Sequence, residues 1–145
     1  MKIVRADESH LEAWLKLRIA LWPDEAANLA NELPAMLQDP VLLNLIALTE
    51  AGEAIGFAEA ALRRDYVNGC ETSPVVFLEG IYVAPTHRRK GIARSLTDEV
   101  AMWARALGCR EFASDALLEN GDSHRMHKAL GFDETERVVY FRKTL

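Results

Sequence analysis

The sequence predicts an α/β domain built on one mixed sheet, and three observations carry that prediction. Short apolar strand patterns alternate with amphipathic helical stretches in the order β-α-α-β-β-β-α-β-α-β along 145 residues. A tight turn joins two of the middle strands and makes them antiparallel, whereas the long helix after the most apolar strand has the length of a crossover to a parallel one. Half of the residues are hydrophobic and 27% are charged, so residues 1–145 are expected to form a single domain with a sizeable core.

Taken in order, Lys2 to Ala6 alternates and reads as the first strand. Ser9-His10-Leu11-Glu12 is a capping-box pattern, and Leu11, Trp14, Leu15, Leu21 and Trp22 then fall on one side of a helix that Pro23 ends. A second helix, about Glu25 to Gln38, contains Pro34 and is expected to kink or split there. Leu42 to Glu50 and Ala54 to Arg64 are strands joined by the hairpin signal Ala51-Gly52-Glu53. Asp65 to Pro74 is a polar loop with an Asn68-Gly69 turn. Val75 to Val83, the most apolar strand, is expected at the centre of the sheet. Gly91 to Leu107 is a long helix stopped by Gly108, Glu111 to Ser114 a short strand, and Ser123 to Leu130 a helix stopped by Gly131. Val138 to Arg142 reads as a last strand.

Seventeen Lys and Arg against 22 Asp and Glu leave a net charge of −5. That balance argues against non-specific binding to nucleic acid or an anionic membrane and suits a cationic partner. Cys70 and Cys109 make neither a metal-ligand spacing nor a disulfide framework, so both are expected as reduced thiols and no metal is expected. The N-terminus lacks the apolar stretch of a signal peptide, and the run from Val41 to Leu48 is too short to cross a bilayer. A cytoplasmic location is the resulting expectation.

The segment from Leu78 to Arg94 carries the strongest chemical signal: a strand ends, a basic turn follows, and a helix opens on small residues. Unpaired N–H groups at a helix start, with the positive end of its dipole, suit a phosphate. Gly91 and Ala93 let backbone approach closely, Ile92 adds its amide, and Arg88, Arg89, Lys90 and Arg94 add charge. The pattern Arg-x-x-Gly-x-Ala is common by itself; its place between the most apolar strand and a long helix gives it weight. Neither a P-loop nor a dinucleotide fingerprint is present.

Downstream lie Asn120, Ser123, Met126, His127, Gly131 and Phe132. Together with Arg88, Gly91 and Ala93, this constellation resembles the GCN5-related N-acetyltransferase superfamily. Ser123 stands where that family has a small Ala, and His127 where it usually has Tyr. Trp22-Pro23, the Asp65-to-Gly69 loop, the Phe77-to-Ile81 run, Ala113-Ser114-Asp115 and Glu134 to Val138 are further similar to the aminoglycoside 6′-N-acetyltransferases.

The resemblance implies a mixed central sheet with splayed central strands and flanking helices. It implies acetyl-CoA as cosubstrate, an aminoglycoside as acceptor, and a homodimer. Backbone around Ile81, Tyr82 and Val83 would bind the pantetheine arm with help from the Asn120 amide; the bland alternative for Asn120 is a helix cap. His127 would protonate the departing thiolate. Glu79, Asp115 and Glu136 match acidic positions that would pair ammonium groups, and either Glu79 or Asp115 would be the general base. An idle charge inside the apolar strand around Glu79 would be costly. Tyr66 and Trp22 would wall the sugar rings, with core packing as the alternative, and Glu25 would join the acidic lining. Two other readings stand beside this one: acetylation of a polyamine or protein N-terminus, and a non-enzymatic binder of acyl-CoA.

Overall fold

The structure, a computed structural model, describes all 145 residues. Its five strands are β1 (Lys2–Arg5), β2 (Leu42–Leu48), β3 (Ala54–Arg63), β4 (Val75–Val83) and β5 (Phe112–Ser114), ordered β1-β2-β3-β4-β5. The first four are antiparallel in turn, and β5 runs parallel to β4. Helices α1 (Leu11–Leu21) and α2 (Ala26–Gln38) precede β2; α3 (Ile92–Ala106) is the crossover from β4 to β5, and α4 (Gly121–Ala129) follows β5.

Strand alternation sorts the core onto two faces of the sheet. Ile46, Leu48 and Phe57 pack with Trp14, Leu17 and Leu33 of α1 and α2. Leu43, Leu45, Ala58 and Val76 pack with Ile92, Leu96, Val100 and Ala104 of α3.

Four local expectations are corrected. Asp7, not Ser9, forms the capping box: its carboxylate accepts the Ser9 N–H at 2.9 Å while the His10 ring accepts the Asp7 N–H, ahead of a short 3-10 turn. Pro34 leaves α2 continuous: the one backbone bond it removes is to the carbonyl of Ala30, an exposed residue. β3, not β4, lies at the centre of the sheet; the apolarity of β4 reflects burial on both faces. The segment from Val138 to Arg142 is no strand. It has no neighbouring ladder, and Val139, Tyr140 and Phe141 are 76%, 77% and 92% exposed.

Candidate active site

The site begins with a fault in strand pairing. Along β3 and β4, Glu59 faces Gly80 but Ala60 faces Leu78, which leaves Glu79 as the extra residue of a β-bulge. A bulge bends its strand and re-aims the unpaired side chain. On the other side, β5 pairs only with Val76, Phe77 and Leu78. From Glu79 to Val83 the outer edge of β4 is therefore free of strand partners, and the sheet is splayed as expected. A cleft of about 150 Å³ opens there, lined among others by Glu79, Ile81, Ser114, Asp115, Asn120 and His127.

Glu79 is a third exposed and pairs with Arg63 of β3, Nη2 to Oε1 at 2.7 Å. The burial argument made for it from sequence is corrected: an arginine partners this charge at the cleft mouth. Asp115, just past β5, has no ion-pair partner in the chain and is exposed. Trp22 lies directly on the backbone at Gly80, where an added Cβ would come 2.5 Å from its Cη2. Its ring meets Phe57 edge-on at 6.0 Å, so it packs with the core on the α1 side of the sheet while bordering β4 at Gly80.

His127 is held on every side. Its Nδ1 lies 2.7 Å from the Ser123 carbonyl oxygen, its Nε2 lies 2.7 Å from Ser114 Oγ, and Phe132 packs against its ring at 5.3 Å. The Gly131-Phe132 signal thus becomes a prop for the histidine. Asn120 caps α4, its Oδ1 accepting the Ser123 N–H at 3.1 Å. The bland reading of Asn120 is realised, and only its NH₂ remains for the cleft it lines.

At the start of α3, Gly91 is the N-cap with φ +79°, and Arg89 before it has φ +62°. The first helical bond is from Ser95 N to Gly91 O at 3.0 Å, so the amides of Ile92, Ala93 and Arg94 have no helical acceptor. Ile92 is buried in the core and can contribute only through its N–H. The basic side chains are less free than the sequence suggested. Arg88 Nε donates to Val83 O at 2.8 Å and its guanidinium lies over Tyr82. Arg94 donates to Ala129 O at the end of α4. Arg89 and Lys90 stay exposed and uncommitted. Tyr82 packs its ring towards Phe57, leaving backbone for the β4 edge.

Gly91→Val is expected to cost about 1–2 kcal/mol from its left-handed backbone alone and to raise the Michaelis constant for acetyl-CoA if this loop holds it. Lys90→Ala keeps every amide and should do less. A larger cofactor defect in Lys90→Ala would count against binding through the amides.

Four of the six expected acceptor-side residues, Trp22, Glu25, Tyr66 and Glu136, are not among those that line the cleft. Tyr66 is 72% exposed, and Glu25 and Glu136 are exposed as well. Thr135 packs against Gly69, so the segment that carries Glu136 runs beside the Asn68-Gly69 turn.

Sequence reasoning missed a buried charge network beneath the bulge. Glu59, 3% exposed, accepts from Trp14 Nε1 at 2.9 Å and from Arg18 Nη2 at 3.4 Å. Arg18 Nε approaches Glu59 to 2.7 Å without aiming its N–H there, while Nη1 donates to Leu29 O and Nη2 to Glu32. Burial pushes the Glu59 carboxyl up; Arg18 and Trp14 pull it partly back. A charge within the apolar run of β3 was the available signal. Arg18, Glu32, Asp39, Glu59 and Glu79 line a second cleft of about 400 Å³ that meets the first at Glu79. Cys70 and Cys109 are free thiols, and no cluster of residues fit to hold a metal exists.

The pattern of the Acetyltransferase (GNAT) family matches residues 7–132. An aminoglycoside N(6′)-acetyltransferase type 1 from Acinetobacter genomosp. 13 is 52% identical over 143 residues, 99% of this chain and 98% of that protein. The crystal structure of the aminoglycoside antibiotic 6′-N-acetyltransferase AAC(6′)-IG from Acinetobacter haemolyticus, without ligand, superposes with a TM-score of 0.95. It is 50% identical and covers 100% of this chain and 99% of its own. AAC(6′)-Iy in complex with the bisubstrate analogue CoA-S-monomethyl-acetylneamine superposes with a TM-score of 0.89 at 47% identity, covering 99% and 98% of the two chains.

Proposed function

The chain belongs to the Acetyltransferase (GNAT) family, and from that premise we propose that it carries acetyl from acetyl-CoA to the 6′-amine of an aminoglycoside. The observation that carries this reading is one cleft holding a bulged carboxylate, Glu79, a second carboxylate, Asp115, and His127 beside the free edge of β4. The start of α3, beyond that edge, fits the pyrophosphate of CoA through its unpaired amides. Backbone of Ile81 to Val83 and the Asn120 NH₂ hold the pantetheine arm. When bound, acetyl-CoA supplies an activated acyl group; the chain's part is to orient it, accept a proton from the amine and return one to the thiolate.

Glu79 and Asp115 attract the reacting ammonium, and Trp22 walls the sugar. Tyr66, Glu25 and Glu136 belong to the rim, because an aminoglycoside of several rings exceeds the cleft. Thiol release from acetyl-CoA, measured with aminoglycosides, polyamines and peptides, tests the reading. Turnover confined to aminoglycosides is expected; turnover with polyamines or peptides alone would replace it.

Asp115→Asn should weaken aminoglycoside binding and flatten its salt dependence, since exposed charge attraction is screened, while leaving acetyl-CoA binding nearly intact. Glu136→Gln should do the same more weakly from the rim. Calorimetry of both ligands at two salt concentrations checks this. Equal loss of both ligands would indicate misfolding, and retained affinity would remove the acidic-pocket argument.

We also assign a homodimer and a cytoplasmic location to this enzyme, which would make its host resistant to the drugs it acetylates. The exposed Val139, Tyr140 and Phe141 support the first, as an apolar surface that a second copy would cover. The cytoplasmic supply of acetyl-CoA supports the second. No helix is long and apolar enough to cross a membrane. Sedimentation of the purified chain reads the dimer directly.

A further inference from the structure

A histidine donates from a ring nitrogen only if that nitrogen carries a proton and faces the acceptor. Nδ1 of His127 lies 2.7 Å from the Ser123 carbonyl oxygen and 3.3 Å from Ser123 Oγ; the carbonyl, much the closer, can only accept, so Nδ1 carries a proton. In the neutral ring, Nε2 is then a lone pair, and it accepts from Ser114 Oγ–H at 2.7 Å. In the imidazolium, Nε2–H donates to Ser114 Oγ instead. Neither state leaves a ring N–H for the cleft, and a flipped ring would forfeit both hydrogen bonds.

Ser114 ends β5 opposite Leu78, the last paired residue before the β4 edge becomes free at Glu79. Its hydroxyl therefore stands where the two strands part, and Ser114 lines the cleft.

We propose that Ser114 is the catalytic residue that protonates the departing thiolate, with His127 as the positioning residue and proton source behind it. The inference rests on the acetyl-transfer reading above. As the C–S bond breaks, its electron pair stays on sulfur. The Ser114 Oγ–H proton moves to that sulfur, and the His127 Nε2–H proton moves to Ser114 Oγ. The ring is left neutral with Nδ1–H still on Ser123, and solvent protonates Nε2 for the next cycle. The serine is unchanged over the cycle.

The experiment has two arms. In the first, Ser114→Ala, His127→Ala and the double variant are compared with wild type under conditions where chemistry limits turnover. Each single variant should lose about 10²-fold in kcat, the lower end of general-acid effects, with acetyl-CoA binding nearly unchanged. The double variant should be little worse than either single, as residues that act as one unit behave. Ser114→Thr, which keeps the hydroxyl, should restore most of the loss. The second arm is ¹⁵N NMR of the ligand-free protein: the neutral ring of His127 should be the Nδ1–H tautomer, and Ser114→Ala should shift Nε2 but not Nδ1.

Full turnover in Ser114→Ala, multiplicative losses in the double variant, or an Nε2–H tautomer would each overturn the proposal. Absence of acetyl transfer to any amine by wild type would sink the functional reading instead, and the NMR arm would still decide the Ser114–His127 pair.

Discussion

Replacing Glu59 by Ala is expected to destabilise the fold by about 3 kcal/mol, the lower end of the cost of breaking a buried ion pair. Arg18, itself 4% exposed, would lose the partner nearest its guanidinium. The Trp14 N–H, fully buried, would lose its only acceptor. The cost stays at the lower end because Arg18 keeps Glu32 and the Leu29 carbonyl. Glu59→Gln should cost less, since the amide oxygen can still accept from Trp14.

The same residue gives stability a pH dependence of definite sign. Its carboxyl is raised above the ordinary 4.5, first by burial, against the opposing pull of Arg18 and Trp14. As pH climbs through 4.5 the unfolded chain loses this proton before the folded one does. This contribution to stability is therefore complete below that value and is lost as pH rises through the folded-state value. Urea denaturation at a series of pH values should show that decline in wild type and its disappearance in Glu59→Gln. An unchanged slope in the variant would assign the dependence to other groups.

The order of the first nine helices and strands and the family resemblance were legible because each rests on local chemistry: periodicity, a hairpin turn, small residues opening a helix. What the sequence could not show depends on register. Apolar β4 gives no sign that its pairing with β3 slips at Glu59, yet that slip makes Glu79 the unpaired residue of a bulge, set at the cleft mouth and not in the core. A run rich in Val and Leu reports burial on both faces, which β4 achieves without lying at the centre. Val138 to Arg142 has the composition of a strand, but a strand exists only against a partner, and none is adjacent. Ser114 was visible as a residue and silent as chemistry, because its role comes from a histidine thirteen positions away in sequence. Charge counting likewise gave no sign that Arg88 and Arg94 each hold a backbone carbonyl, those of Val83 and Ala129.

Glu79→Gln is expected to give the largest catalytic defect, a loss in kcat on the order of 10²–10⁴-fold, the range for removal of a general base. An acceptor amine arrives as an ammonium and must lose a proton to attack a thioester. Glu79 borders the free edge of β4 and can take that proton directly or through water. Arg63, 2.7 Å away, holds the carboxylate at the mouth of the cleft. The incoming ammonium shares the carboxylate with that guanidinium. As pH rises, more of the amine is already neutral and less depends on the base, so the defect of Glu79→Gln should shrink with pH. Asp115→Asn should instead show a raised Michaelis constant for the aminoglycoside and a kcat profile parallel to wild type. Profiles of kcat against pH for the two variants, with acetyl-CoA saturating, separate the roles. A defect that shrinks with pH in Asp115→Asn and stays constant in Glu79→Gln would move the base to Asp115. Arg63 would then be left holding a carboxylate whose task is recognition.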